Sequence, residues 1–122
     1  EDDFQRRLFN HFIPRSLKRY FVTEMYLTAH SQLRMHERHI SEDEILAVLD
    51  IGQVIIYKEL NGEFNTKETK LAIVNGRPLH VVYFLDAVSS GYSRADRILS
   101  VSTVYEVDGI HWEKDLRTRI RF

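Results

Sequence analysis

The sequence predicts an α+β domain with amino-terminal helices packed on one face of a four-stranded antiparallel sheet. Apolar residues recur near helical spacing only before Gly52. After Gly52 the pattern changes to four short β-rich runs, each bounded by turn residues. No crossover helix separates those runs, so consecutive strands joined by turns should pair antiparallel and leave one face for the helices.

Between Phe4 and Phe21 the residues Phe4, Leu8, Phe12, Leu17, Tyr20 and Phe21 follow a helical repeat, and Pro14 divides it into two short helices. We read residues 1–24 as an appended helical segment, too small to fold alone. Residues 25–122 then form the main domain. "MYLTAH" reads as a short extended lead-in, with Thr28 capping the helix that follows. Ser41 and Glu44 form an S-x-x-E capping box, with Ile40 and Ile45 at the positions of a hydrophobic staple. A second helix therefore starts at Glu42, turns Ile45, Leu46, Val48 and Leu49 towards a core, and ends at Gly52. The strands are "QVIIYKE", "TKLAIV", "LHVVYFL" and "RILSVSTVYEV". Asn61-Gly62 and Asn75-Gly76 are turn dipeptides, the second a strong hairpin signal. The loop "DAVSSGYSRAD" joins the last two strands.

Composition bounds the function. The chain of 122 residues is 43% hydrophobic and 29% charged with five glycines and two prolines, the make-up of one folded domain. No apolar run approaches the roughly 18 residues of a membrane span. The acidic start "EDDF" is unlike a signal peptide. The expectation is a soluble, by default cytoplasmic protein without a membrane partner. The missing initiator methionine fits a trimmed chain or part of a longer secreted effector. Without cysteine, disulfides and thiolate metal sites are excluded. A net charge of −1 argues against a protein that coats nucleic acid non-specifically. Local basic surfaces are still expected from Arg6, Arg7, Arg15, Lys18 and Arg19 and from Arg117, Arg119 and Arg121.

The chemistry-bearing stretch is "TAHSQLRMHERHI", residues 28–40. On a helix, His30, Arg34 and Arg38 form one stripe beside an apolar stripe of Ala29, Leu33 and Ile40. Glu37 lies between the stripes, where it can pair with Arg34 or Arg38 and hold a guanidinium in place. Three readings stay open. One is a solvated face with ordinary ion pairs. A second is a metal site on His36 and His39, though HExxH is absent and no nearby carboxylate has a recognised ligand spacing. The third is metal-independent RNA cleavage, in which the ribose 2′-hydroxyl attacks the phosphate. The protein must then supply a base, an acid and positive charge, which suit histidine and arginine.

"AHSQLRMHERHISEDEILAVLDIGQVI" resembles the opening motif of a bacterial domain of unknown function, in which HxxxRMxERxIs precedes a capped helix and an antiparallel sheet. The family's last strand ends in something like "ITVYE", and "STVYE" at residues 102–106 is similar. The resemblance covers about residues 26–107. It implies kinship with RelE-like toxins, within the group of barnase, EndoU, colicin-type and RelE nucleases, whose helix-plus-sheet fold cleaves RNA without metal. Such proteins are often toxins held in check by an antitoxin or immunity protein. Carried over, His30 is the expected general acid or base, and Arg34 and Arg38 bind the phosphate. Thr103 and Tyr105 position or protonate the scissile group. Strand parity places Thr103 and Tyr105 on one face with Leu99 and Val101.

Among the other polar residues, Glu37, Lys70, Arg97 and Arg117 are the expected substrate-binding set, with Lys67, Arg94 and the terminal arginines as further backbone contacts. His80, inside "PLHVVYF", is expected to be packed or hydrogen-bonded. His111 and Trp112 should stack on a base or cover the core edge, the second being favoured. The expected function is a metal-independent endoribonuclease without cofactor, a toxin or effector domain cleaving tRNA or mRNA. Its partners would be RNA and a cognate antitoxin or immunity protein. The alternative is a non-catalytic RNA- or protein-binding module of the same fold. The apolar pattern is compatible with a homodimer and does not demand one.

Overall fold

The computed structural model describes residues 6–7, 13–60, 62–87, 96–109 and 111–119, with the backbone alone at 6–7 and 62–64. In chain order the elements are β1 (Arg6–Arg7), α1 (Arg15–Lys18), β2 (Val22–Leu27), α2 (Ala29–Arg38), α3 (Glu42–Ile51), β3 (Gln53–Leu60), β4 (Gly62–Val74), β5 (Arg77–Ala87) and β6 (Arg97–Glu106). Of the two helices expected before Phe21, the first falls largely outside the described residues, and its described part, Arg6–Arg7, is not helical but pairs antiparallel with Tyr26 and Leu27 of β2. The second is a single turn after Pro14.

Local signals produce the elements they predict. Thr28 caps α2 by accepting the Ser31 amide at 3.1 Å. At α3, Ser41 Oγ accepts the Glu44 amide at 3.1 Å and Glu44 accepts the Ser41 amide at 2.9 Å, closing both halves of the capping box. That amide is the main reason the Glu44 carboxyl is held below its usual range, with Asn75 and Arg77 adding to it. Asn75 and Gly76 both take positive φ, 54° and 77°, and turn β4 into β5. Gly52 ends α3 for a different reason: a Cβ there would lie 2.3 Å from the Val48 carbonyl oxygen.

The α+β class holds, but the sheet is larger than four strands and is mixed. Its order is β1-β2-β6-β5-β4-β3. The run β3 to β6 is antiparallel as expected. On the other side of β6, however, β2 pairs parallel, from Val22 opposite Arg97 to Leu27 opposite Val101. "MYLTAH" is thus the end of an inner strand, whose partner lies more than seventy residues downstream.

One face of the sheet is the core. Leu79, Val81, Tyr83 and Leu85 of β5 and Leu99, Val101 and Val104 of β6 pack there with Ile45, Val48 and Leu49 of α3. The β5–β6 register skips Ser102, since Val82 opposes Thr103 while Tyr83 opposes Val101. This bulge reverses the parity of the end of β6. The sequence expectation is corrected here: Thr103 and Tyr105 do not share a face with Leu99 and Val101, but lie with Val82 and His80 on the opposite face. There the segment after β6 covers the sheet, with Trp112 buried against His80. Among the described residues no helix is long and apolar enough to cross a membrane.

Candidate active site

The site lies where β6 runs on past β2. Pairing between the two strands ends at Val101, and α2 takes over along the open edge of β6. The Thr28 amide and hydroxyl both donate to the Val101 carbonyl, at 3.3 and 2.9 Å. One helix length further, the Arg38 guanidinium donates to the Val104 carbonyl at 2.6 Å. Strand carbonyls left open at an edge need donors, and α2 supplies them from both of its ends.

Arg77 fixes the C-terminus of α2. Its guanidinium donates to the carbonyls of Arg38 and His39, at 3.1 and 3.0 Å, and pairs with Glu106 at 3.1 Å and Glu44 at 3.4 Å. A cation at this end also complements the helix dipole. Arg38 is held in place through its side chain and its backbone.

Beyond Arg38 opens a cleft of about 480 Å³, lined by Arg38, Arg77, Tyr105, Glu106, Asp108, His111, Trp112 and Arg119. Its floor is a packed aromatic group. Trp112 meets His80 edge-on at 4.4 Å between centroids and lies nearly parallel to Tyr105 at 6.2 Å. Arg119 pairs across the turn with Trp112 and sits 5.7 Å from its ring centre.

Two histidines flank Tyr105 in different states. His80 is fully buried, and its Nε2 faces the Leu116 carbonyl at 2.7 Å. A carbonyl only accepts, so Nε2 carries the proton and Nδ1 accepts from the Tyr105 hydroxyl at 3.1 Å. Burial pushes the His80 pKa down, against the pull of the Leu116 carbonyl, and the ring is neutral. His111 is exposed at the cleft wall. Its Nδ1 lies 3.1 Å from both oxygens of Asp108, which also accepts its backbone amide at 2.7 Å. That carboxylate fixes the proton on Nδ1 in the neutral ring and presents Nε2 as the basic nitrogen. Burial raises the Tyr105 pKa, while Arg119 and Arg38 pull it down.

Of the expected catalytic residues, Arg38 and Tyr105 meet in this cleft. Arg34 is bound to Glu37 in an ion pair on the solvent side of α2, as the spacing suggested. His30 is exposed, eight residues before Arg38 and so about 12 Å along the helix axis. Among the described residues nothing hydrogen-bonds or pairs with it. Thr103 is half-buried opposite Val82 and does not line the cleft.

Two expected phosphate contacts are corrected, because they are buried. Lys70 donates to the Leu49 carbonyl at 2.6 Å in the last turn of α3, and burial lowers its pKa. Arg97 is 7% exposed and donates to Thr66 at 3.2 Å. Arg117 is exposed on the terminal turn, outside the cleft, its amide held by Asp115 at 2.9 Å. Lys67 is exposed on β4, while Arg94 and Arg121 lie outside the described residues. No group of three or more histidine, aspartate or glutamate side chains among the described residues is placed to hold a metal, His36 and His39 included.

The sequence reading did not assign Asp108, His111 and Arg77 to the site. A D-x-x-H spacing after the last strand was visible, but nothing local tied it to the helix 70 residues earlier.

The fold and cleft define a small α+β domain with three arginines, Arg38, Arg77 and Arg119, and His111 gathered where one helix meets the last strand. The chain belongs to the family of the domain of unknown function DUF4258, whose profile matches residues 27–110. No curated protein and no solved structure matches it.

Proposed function

We propose that the protein is a metal-independent endoribonuclease of the RelE-like type, a toxin or effector domain restrained by a protein inhibitor, with its chemistry in the Arg38–Tyr105 cleft. The observation that carries this reading is the convergence of two guanidiniums, a carboxylate-oriented histidine and a tyrosine hydroxyl on one cleft. Arg38 and Arg119 bind the scissile phosphate and offset the charge of the pentacoordinate transition state. His111, oriented by Asp108, takes the proton from the ribose 2′-hydroxyl as that oxygen attacks phosphorus. Tyr105 turns its hydroxyl from His80 to the departing 5′ oxygen and protonates it. The resulting phenolate is stabilised by Arg38 and Arg119, the groups that already draw its pKa down. The products are a 2′,3′-cyclic phosphate and a 5′-hydroxyl. Arg77 serves as a positioning residue, since its donors are engaged by α2 and by Glu44 and Glu106.

The test is cleavage of a defined RNA in excess chelator, with end-group analysis of the products. Cyclic phosphate ends formed in chelator support the reading, whereas 3′-hydroxyl ends or restoration only by added metal exclude it. Salt-dependent RNA binding without turnover would assign the chain to the second class, a binding module of the same fold.

A further inference from the structure

The far end of the sheet, away from the cleft, is built differently. β3 is the terminal strand in the sheet order, and its eight residues span about 27 Å. Seven of them are exposed and none is fully buried. Natural sheets blunt such an edge, because a row of unpaired amides and carbonyls is a template for another strand. Here a register shift at Ile55 and the charged Lys58 and Glu59 blunt it in part, yet the edge also carries large exposed apolar side chains. Val54 and Tyr57 are exposed on the helix-bearing side, opposite Lys70 and Glu68, and Ile56 is exposed on the other side, opposite Thr69.

On that outer face Lys58 stands directly opposite Lys67 of β4, both exposed. Like charges in this position repel. Among the described residues neither ammonium has a carboxylate partner, and Lys67 instead lies 5.6 Å from the centre of the Phe84 ring. Ile73, 63% exposed, continues the apolar surface along β4.

We propose that the β3 edge is a docking site for an extended, acidic segment of a partner protein, which adds a strand beside β3 and places carboxylates against Lys58 and Lys67. Apolar groups on both faces of the edge fit an added strand, whose side chains alternate between faces, better than a body resting on one face. The lysine pair selects the charge of the partner. It also disfavours a second copy of this chain, because antiparallel self-pairing would gather four ammonium groups on one face. RNA is disfavoured because the outer face near the lysines offers aliphatic Ile56 and, among the described residues, only the half-buried Phe84 ring for bases to stack on. The proposal does not depend on the cleft's chemistry.

The probes are two labelled peptides, one alternating valine with glutamate and one alternating valine with lysine, titrated against the full chain by fluorescence anisotropy. The acidic peptide should bind at least about tenfold more tightly than the basic one, and the combined Lys58→Glu and Lys67→Glu variant should reverse the order. Backbone amide exchange in β3 should slow on saturation. Ile56→Asp provides a second variant and should weaken the acidic peptide alone. Binding of neither peptide, equal binding of both, or a preference unchanged by the lysine substitutions overturns the proposal. So does a doubled mass of the chain without peptide, which assigns the edge to a second copy, or displacement of the acidic peptide by an RNA oligonucleotide.

Discussion

The two ends of α2 carry similar residues in different settings. At the first end His30 projects to solvent with no partner among the described residues. At the other, Arg38 is held by the Val104 carbonyl, its own carbonyl is held by Arg77, and both arginines line a cleft with Tyr105. The stripe His30, Arg34, Arg38 is continuous along the helix, yet only its last member reaches the site. A helix face therefore does not define a site. The element lying against it does, and here that element is β6 beyond its bulge at Ser102.

The largest effect expected from breaking this contrast is at Arg38. Arg38→Ala should lower RNA cleavage about 10²- to 10³-fold, the usual cost of removing a charge-stabilising donor, measured as single-turnover rates with the fold checked by near-ultraviolet circular dichroism. His111→Ala should follow with a loss of about 10²-fold. Asp108→Asn should lose less and shift the acidic limb of the pH–rate profile, where the base must lose its proton to act, an effect that a merely structural carboxylate would not produce. Tyr105→Phe sharpens the contrast differently. It removes the proposed acid and leaves His80 Nδ1 without its donor, so activity should fall together with about 1–3 kcal/mol of stability in denaturant titrations.

His80 predicts a pH dependence with a definite sign. Its folded pKa is depressed by burial, whereas the unfolded imidazole titrates near about 6.5. Below that pH the unfolded chain binds more protons, so this contribution is complete above about 6.5 and is lost as pH falls towards the folded value. His80→Gln, which keeps a donor for the Leu116 carbonyl, should flatten that part of the stability profile. The smallest effect belongs to His30→Ala, expected to leave cleavage within about threefold of wild type.

Much of the chain was legible because its causes are local. The Ser41–Glu44 box, the Asn75-Gly76 turn, Thr28 as cap and the four strands after Gly52 each follow from residues a few positions apart. The parallel β2–β6 pair was not legible, since a short run such as "VTEMYL" does not name a partner across the whole domain. The Ser102 bulge was equally silent, and by shifting parity it moved Tyr105 to the face where the site lies. Lys70 misleads for a related reason, and Arg77, which no sequence signal singles out, does the same work. Each cation holds the last turn of a helix, a role set by packing and invisible in a charge pattern. On the site itself, Arg38 and Tyr105 came from motif resemblance, while Asp108 and His111 needed the terminal turn to be seen folded against β6.

The most direct test of the central claim compares wild type, Arg38→Ala and His30→Ala on total RNA in chelator, resolved on one denaturing gel. If the chemistry belongs to the β6 end of α2, wild type and His30→Ala give the same discrete bands and Arg38→Ala leaves the RNA intact. Bands from Arg38→Ala, loss of bands in His30→Ala, or intact RNA with all three proteins would contradict it.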